Sequence, residues 1–153
     1  MDKYTDLIHQ TFDFPTDEFQ VENNELLFNG IPLMDIIKKY GTPLKLTYLP
    51  KISSQIQRAK KLFNESIEKL DYNGTYTYCY CTKASHFSFV LEEALKNDIH
   101  IETSSGYDMQ IIRWLYKKGK IDKNTYIVCN GFKRQQYPEW ISGFINDGFV
   151  NCL

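Results

Sequence analysis

Lys83 closes the run Thr75-Tyr-Thr-Tyr-Cys-Tyr-Cys-Thr-Lys83, in which tyrosines alternate with small residues. Alternation of period two marks a strand with two different faces. Tyr76, Tyr78, Tyr80 and Thr82 share one face, and Thr77, Cys79, Cys81 and Lys83 share the other. Small neighbours leave room beside the lysine stem. An amine partly withdrawn from water gives up its proton more readily. A free amine can form a Schiff base with a carbonyl compound. The bland reading of the same residue is a solvated surface lysine.

Other polar residues follow apolar runs in the same way. Glu102, Ser105 and Asp108 come after "IHI", and Asn130, Gly131 and Lys133 come after "YIVC". Glu102 reads either as a solvated strand end or as an acid that keeps the charge state of the lysine in order. Asp108 reads most simply as a first-turn charge favoured by a helix dipole. Ser104, Ser105 and Gly106 read as the cap of that helix. His86 reads as a helix-start residue, or alternatively as a group over the entrance of a site. Asn130-Gly131 is a turn signal. Lys133 with Arg134 reads as a solvated pair, with an anion clamp as the alternative.

The elements that must position these groups follow from periodicity. Phe19–Val21 and Leu26–Phe28 read as strands joined through Glu22-Asn23-Asn24. Leu33 to Tyr40 reads as an amphipathic helix closed by Gly41. Leu44–Leu49 reads as a strand. A helix follows from Ile52 to Leu70, with Ile52, Ile56, Ala59, Phe63, Ile67 and Leu70 on one stripe. Strands ending at Lys83, in "IHIET" and in "TYIVCNG" then alternate with three further helices, and "FVNCL" begins a fifth strand. Strand–helix alternation with short links implies parallel strands with right-handed crossovers. Two architectures fit, a doubly wound sheet and a (β/α)8 barrel, and both bind ligands at the carboxyl ends of their strands.

Composition bounds the rest. The 153 residues suffice for one ordinary core, and 15% aromatics argue against disorder. Lys plus Arg number 18 against 19 Asp plus Glu, so no basic excess points to nucleic acid. No apolar run approaches the roughly 20 residues of a membrane span. "MDKYTDLIHQTFDF" lacks the pattern of a secretory signal, so the expected compartment is the cytoplasm. Cys79, Cys81, Cys129 and Cys152 have neither zinc spacing nor a disulfide framework, and read as small hydrophobes. No metal site is expected.

The stretch "YCTKASHFSFVLEEALKNDIHIETSSGYDM" resembles the N-terminal barrel segment of the fold-type III, alanine racemase-like decarboxylases that use pyridoxal 5'-phosphate. The matching motif is Tyr80, Lys83 and Ala84, then Glu102, Ser105 and Asp108. "YIVCNGFKRQQY" looks more specifically like the biosynthetic arginine decarboxylases, and "YGTPLKLTYLPKI" is similar to the first barrel strand of the same group. Ser85 stands where family members often carry Asn. The resemblance implies an α/β fold. Residues 42–153 would be the first part of the (β/α)8 barrel, strands 1 to about 5, and residues 1–41 a β lead-in to a second β domain. It implies Lys83 as the Schiff-base lysine, with Glu102 setting the protonation state around it. The implied reaction is decarboxylation of arginine to agmatine, in a homodimer or larger assembly without membrane or nucleic-acid partners. Ornithine or diaminopimelate is the alternative substrate, and a non-catalytic decarboxylase-like regulator is the alternative of another class. The phosphate loop and the substrate-gripping residues are expected downstream, which would leave this chain alone inactive.

Overall fold

A computed structural model describes residues 18–134 and 136–149. The chain divides into two compact units between Thr47 and Tyr48, where the sequence had suggested a boundary after Gly41.

The first unit is an antiparallel meander of β1 (Phe19–Glu22), β2 (Glu25–Phe28) and β3 (Ile31–Pro32), followed by helix α1 (Leu33–Tyr40). Asn23 and Asn24 turn the first hairpin at φ 50° and 64°, and Asn29 and Gly30 turn the second at 49° and 76°. Positive φ at both central residues is the type I′ geometry, whose twist matches that of the flanking strands. The second hairpin turns on Asn29-Gly30, and Asn-Gly is the strongest short hairpin signal. Helix α1 has the expected bounds, and the Gly41 N–H donates to the Ile37 carbonyl at 2.7 Å, ending it.

The second unit begins with α2 (Leu49–Lys69). Then come β4 (Cys79–Cys81), α3 (Ser88–Leu95), β5 (His100–Thr103), α4 (Gly106–Lys117), β6 (Ile127–Cys129) and α5 (Gln136–Asn146). The strands form a parallel sheet in the order β4-β5-β6. Register puts Tyr80, Ile101 and Ile127 in one row, and Cys81, Glu102 and Val128 in the next.

The helices bury their apolar stripes against the first of these rows. Met109, Ile112 and Leu115 of α4, at helical spacing, are wholly buried with Ile101, Ile127, Tyr137 and Phe144. Burial of each such side chain is worth about 1.5–3 kcal/mol. Ile56 of α2 packs with Ala94, Ile99 and Tyr80. Cys79, Cys81, His100, Glu102 and Val128 belong to neither apolar cluster and remain half-buried. The sheet therefore has one helix-covered apolar face and one mixed face. Right-handed crossovers between sequential strands put the helices on one side, both in a barrel wall and in one half of a doubly wound sheet.

Two expected strands are shorter or absent. Leu44–Tyr48 joins no ladder among the described residues, and Leu49 opens α2 because Pro50, with its fixed φ, suits a first helical turn. Thr75–Tyr78 lies outside the strand, so β4 keeps Cys79–Cys81 alone. The expected fifth strand lies outside the described residues beyond Phe149.

Candidate functional site

The carboxyl ends of β4, β5 and β6 lie side by side, and three loops leave the sheet there. The first is fastened by Thr82, whose N–H and hydroxyl both donate to the Glu102 carbonyl, at 3.0 and 3.2 Å. The Ala84 N–H donates to the Cys81 carbonyl at 3.1 Å, closing a turn. Lys83 therefore sits in a turn and not on the strand, so the two-residue alternation stops before it. Lys83 is exposed, where the sequence suggested an enclosed amine. Among the described residues no hydrogen bond or ion pair engages its amine. The Tyr80 hydroxyl donates to the Ser85 carbonyl at 3.0 Å and ties the same loop to the helix-covered face.

Glu102 is half-buried on the mixed face. The Asn130 side-chain amide donates to its Oε1 at 2.8 Å, and the Cys81 thiol approaches the same oxygen at 3.8 Å. Burial, with the Glu102 charge adding to it, pushes the Cys79 thiol above its ordinary range. Cys79 lines this face as a half-buried thiol.

The loop after β6 is built tightly. Asn130 Oδ1 accepts from the Gly131 N–H at 2.7 Å, and the Asn130 N–H donates to the Thr103 carbonyl at 2.8 Å. The Lys133 amine donates to the Cys129 and Gly131 carbonyls and lies 4.7 Å from the centre of the Tyr137 ring. Lys133 thus fastens the loop while remaining exposed, and Arg134 is exposed too.

Asp108 and Ser105 take the structural roles read from the sequence. The Ser104 N–H donates to Asp108 Oδ2 at 2.8 Å, and the Asp108 N–H donates to Ser105 Oγ at 3.4 Å. Ser105 thus caps the start of α4 through its side chain, while Asp108 reaches back to the N–H of the residue before the cap. His86 lines a groove of about 480 Å3 with Leu91, Tyr107, Ile111 and Trp114. A second cavity of about 440 Å3 lies between the loops after β5 and β6, against Ser105, Phe132, Arg134 and Tyr137. Neither is lined by Lys83 or Glu102.

The structure thus groups Glu102, Cys81 and Asn130, with the backbone of Lys83 one residue past the Thr82 hook. The contact of Asn130 with Glu102 was not legible in the sequence, because it depends on the register of β5 against β6. Among the described residues no cluster of three His, Cys, Asp or Glu could hold a metal, and no helix is long and apolar enough to cross a membrane. No protein-family model matches the chain, and no curated protein matches it.

Proposed function

We propose that Lys83 is the covalent anchor of pyridoxal 5'-phosphate in the decarboxylation of a basic amino acid, arginine to agmatine and CO2 in the first instance. One observation carries the reading: an unengaged lysine amine stands at the carboxyl edge of a parallel sheet, one residue past the Thr82 hook on Glu102. The likeness of the three stretches around Lys83, Asn130 and Gly41 names the cofactor and the reaction.

Lys83 offers the primary amine that the aldehyde of that cofactor requires; it is exposed, so the attachment rests on the residue type and its place just after β4 and not on an enclosing pocket. Bound, the cofactor supplies an electron sink for the carbanion left at Cα when CO2 departs. Lys83 contributes its Nζ as the point of attachment. Glu102 places a carboxylate at the neighbouring strand end. The protonated Cys79 and the half-buried Cys81 and Val128 keep the floor beside it largely apolar. The assembly proposed is a homodimer or larger, in the cytoplasm.

The exposure of Lys83, and its absence from both cavities, favours a second reading: a decarboxylase-like regulator that no longer holds cofactor. Borohydride reduction of the chain incubated with pyridoxal phosphate, followed by peptide mapping, separates the two. Selective labelling at Lys83, lost in Lys83→Ala, supports the anchor. Labelling spread over the surface lysines in line with their exposure would overturn it. Release of CO2 from arginine, ornithine or diaminopimelate then identifies the substrate.

A further inference from the structure

The pair Asn-Gly occurs three times, at Asn29-Gly30, Asn73-Gly74 and Asn130-Gly131. Glycine has no Cβ to shield its nitrogen, so that nitrogen can attack Cγ of the asparagine before it. The N–Cγ bond forms, the Cγ–Nδ2 bond breaks, and the proton from the glycine nitrogen leaves with the amide as ammonia. Water then opens the five-membered imide at either carbonyl carbon. One product is aspartate. The other is isoaspartate, in which Cβ has entered the main chain. The residue after each asparagine is the same, so the three pairs differ little in an unfolded chain and the fold ranks them.

Ring closure needs an amide that is free to turn and a glycine nitrogen that is free to approach its Cγ. Asn130 has neither. Its Oδ1 accepts from the Gly131 N–H at 2.7 Å, its Nδ2 donates to Glu102 Oε1 at 2.8 Å, and its own N–H donates to the Thr103 carbonyl at 2.8 Å. Asn29 is held by its backbone. It turns the β2–β3 hairpin at φ 49°, with Gly30 at 76°, and its N–H donates to the Glu18 carbonyl at 2.7 Å. Closing the ring would rotate the bond between the two turn residues and undo the type I′ geometry.

Asn73 carries no such restraint. It is exposed in the link between α2 and β4, outside both elements. Among the described residues neither Asn73 nor Gly74 makes a hydrogen bond, and Gly74 has no positive φ to preserve.

We propose that Asn73 is a site of spontaneous deamidation, converting to a mixture of aspartate and isoaspartate while the fold spares Asn29 and Asn130. Either product adds a negative charge close to Asp71. Isoaspartate also lengthens the link by one main-chain carbon. The same link carries Tyr76, whose ring stacks on Phe63 of α2 at 4.1 Å, and it leads into β4. The isoaspartyl carboxylate is the substrate class of repair enzymes that esterify it with a methyl group from S-adenosylmethionine.

Ageing of the folded chain in mildly alkaline buffer is the test. Peptide mapping reads amide-to-acid conversion at each pair, and enzymatic methyl uptake reads isoaspartate. Conversion at Asn73 runs about tenfold or more ahead of Asn130, whose cyclisation must first break a charge-assisted hydrogen bond. In urea the three rates converge. Gly74→Ala puts a Cβ beside the attacking nitrogen and slows Asn73 to the background of the chain. The nearest atom to that carbon is Tyr72 Cε1, on an exposed ring that can swing aside, so this variant keeps its fold. Equal rates at the three pairs in the folded chain would overturn the proposal. So would a lead for Asn29 or Asn130, or an Asn73 rate that Gly74→Ala leaves unchanged.

Discussion

The Tyr137 hydroxyl donates to the Thr103 carbonyl at 3.0 Å and lies 2.8 Å from Thr103 Oγ1, both residues being almost wholly buried. Either hydroxyl can donate in the second contact, because Thr103 Oγ1 also lies 3.4 Å from the Val128 carbonyl. This pair joins α5 to the end of β5, and so sets the height of the loop that carries Asn130. Tyr137→Phe removes the donor to the Thr103 carbonyl and a buried partner of the Thr103 hydroxyl, and is expected to cost about 1–3 kcal/mol. Thr103→Val combined with Tyr137→Phe removes both partners and recovers part of that loss. Urea melts of the four proteins measure the coupling, and strict additivity would show that the two bonds do not act as a unit.

The same tyrosine makes stability depend on alkali. Burial pushes its hydroxyl up to about 12, against an ordinary value of 10.0. The folded state thus keeps the proton longer than the unfolded chain does. Its contribution is complete below pH 10 and is lost as pH rises from there toward about 12. The stability gap between the native chain and Tyr137→Phe should narrow across that window, by about 1.4 kcal/mol for each unit by which the two states differ. A gap that stays constant from pH 9 to 12, within about the error of denaturant extrapolation, would contradict the assignment.

How much of this was legible depended on what each feature needs. Helix α1 was readable to the residue, because Leu33, Ile36 and Ile37 repeat at helical spacing and Gly41 takes a positive φ of 80°. Those are local properties. The Asn23-Asn24 turn was readable for the same reason. The alternation gave two faces only over Cys79–Cys81, because a strand also needs a partner with free ladder groups, and β5 offers one only from His100 onward. The run therefore contracts to Cys79–Cys81, and Lys83 passes into a turn. Glu102 and Asn130 were each noticed as strand-end residues, while their contact across 28 positions required the register of two strands. Nothing local encodes that register.

Gly131 carries a constraint that composition hides. Its φ is 89°, and a side-chain carbon placed there would come within 2.8 Å of the Ser104 carbonyl oxygen. Gly131→Ala therefore meets both a left-handed backbone and a backbone clash, and neither can yield without moving the loop. The expected loss exceeds about 1 kcal/mol, seen as a lower urea midpoint. The same shift should displace Asn130 from Glu102 Oε1. An unchanged midpoint would mean that the loop adapts at no cost.

Asn97 fastens α2 to α3 from the opposite end of the unit. It is nearly buried at the C-terminus of α3, and its amide donates to Ser53 Oγ at 2.9 Å and to the Glu93 and Ala94 carbonyls. Its Oδ1 accepts from Gln57 at 3.0 Å, and Ser53 in turn donates to Glu93. Hydrogen bonds from Lys96 first, and then from Ser53, hold the Glu93 carboxyl below its ordinary range. Glu93 thus adds stability that is present above the unfolded carboxyl range and is lost as pH falls through its lowered folded value. Asn97→Ala leaves the Gln57 amide without its acceptor and opens the Ser53–Glu93 link, at an expected cost of about 1–3 kcal/mol. The packing of Ile56 on Ala94 and Ile99 depends on the same alignment of α2 with α3. Hydrogen exchange should therefore rise along α2 in this variant, while β5 and α4 keep their protection. Uniform loss of protection across the unit would show instead that α2 and the sheet unfold as one cooperative body.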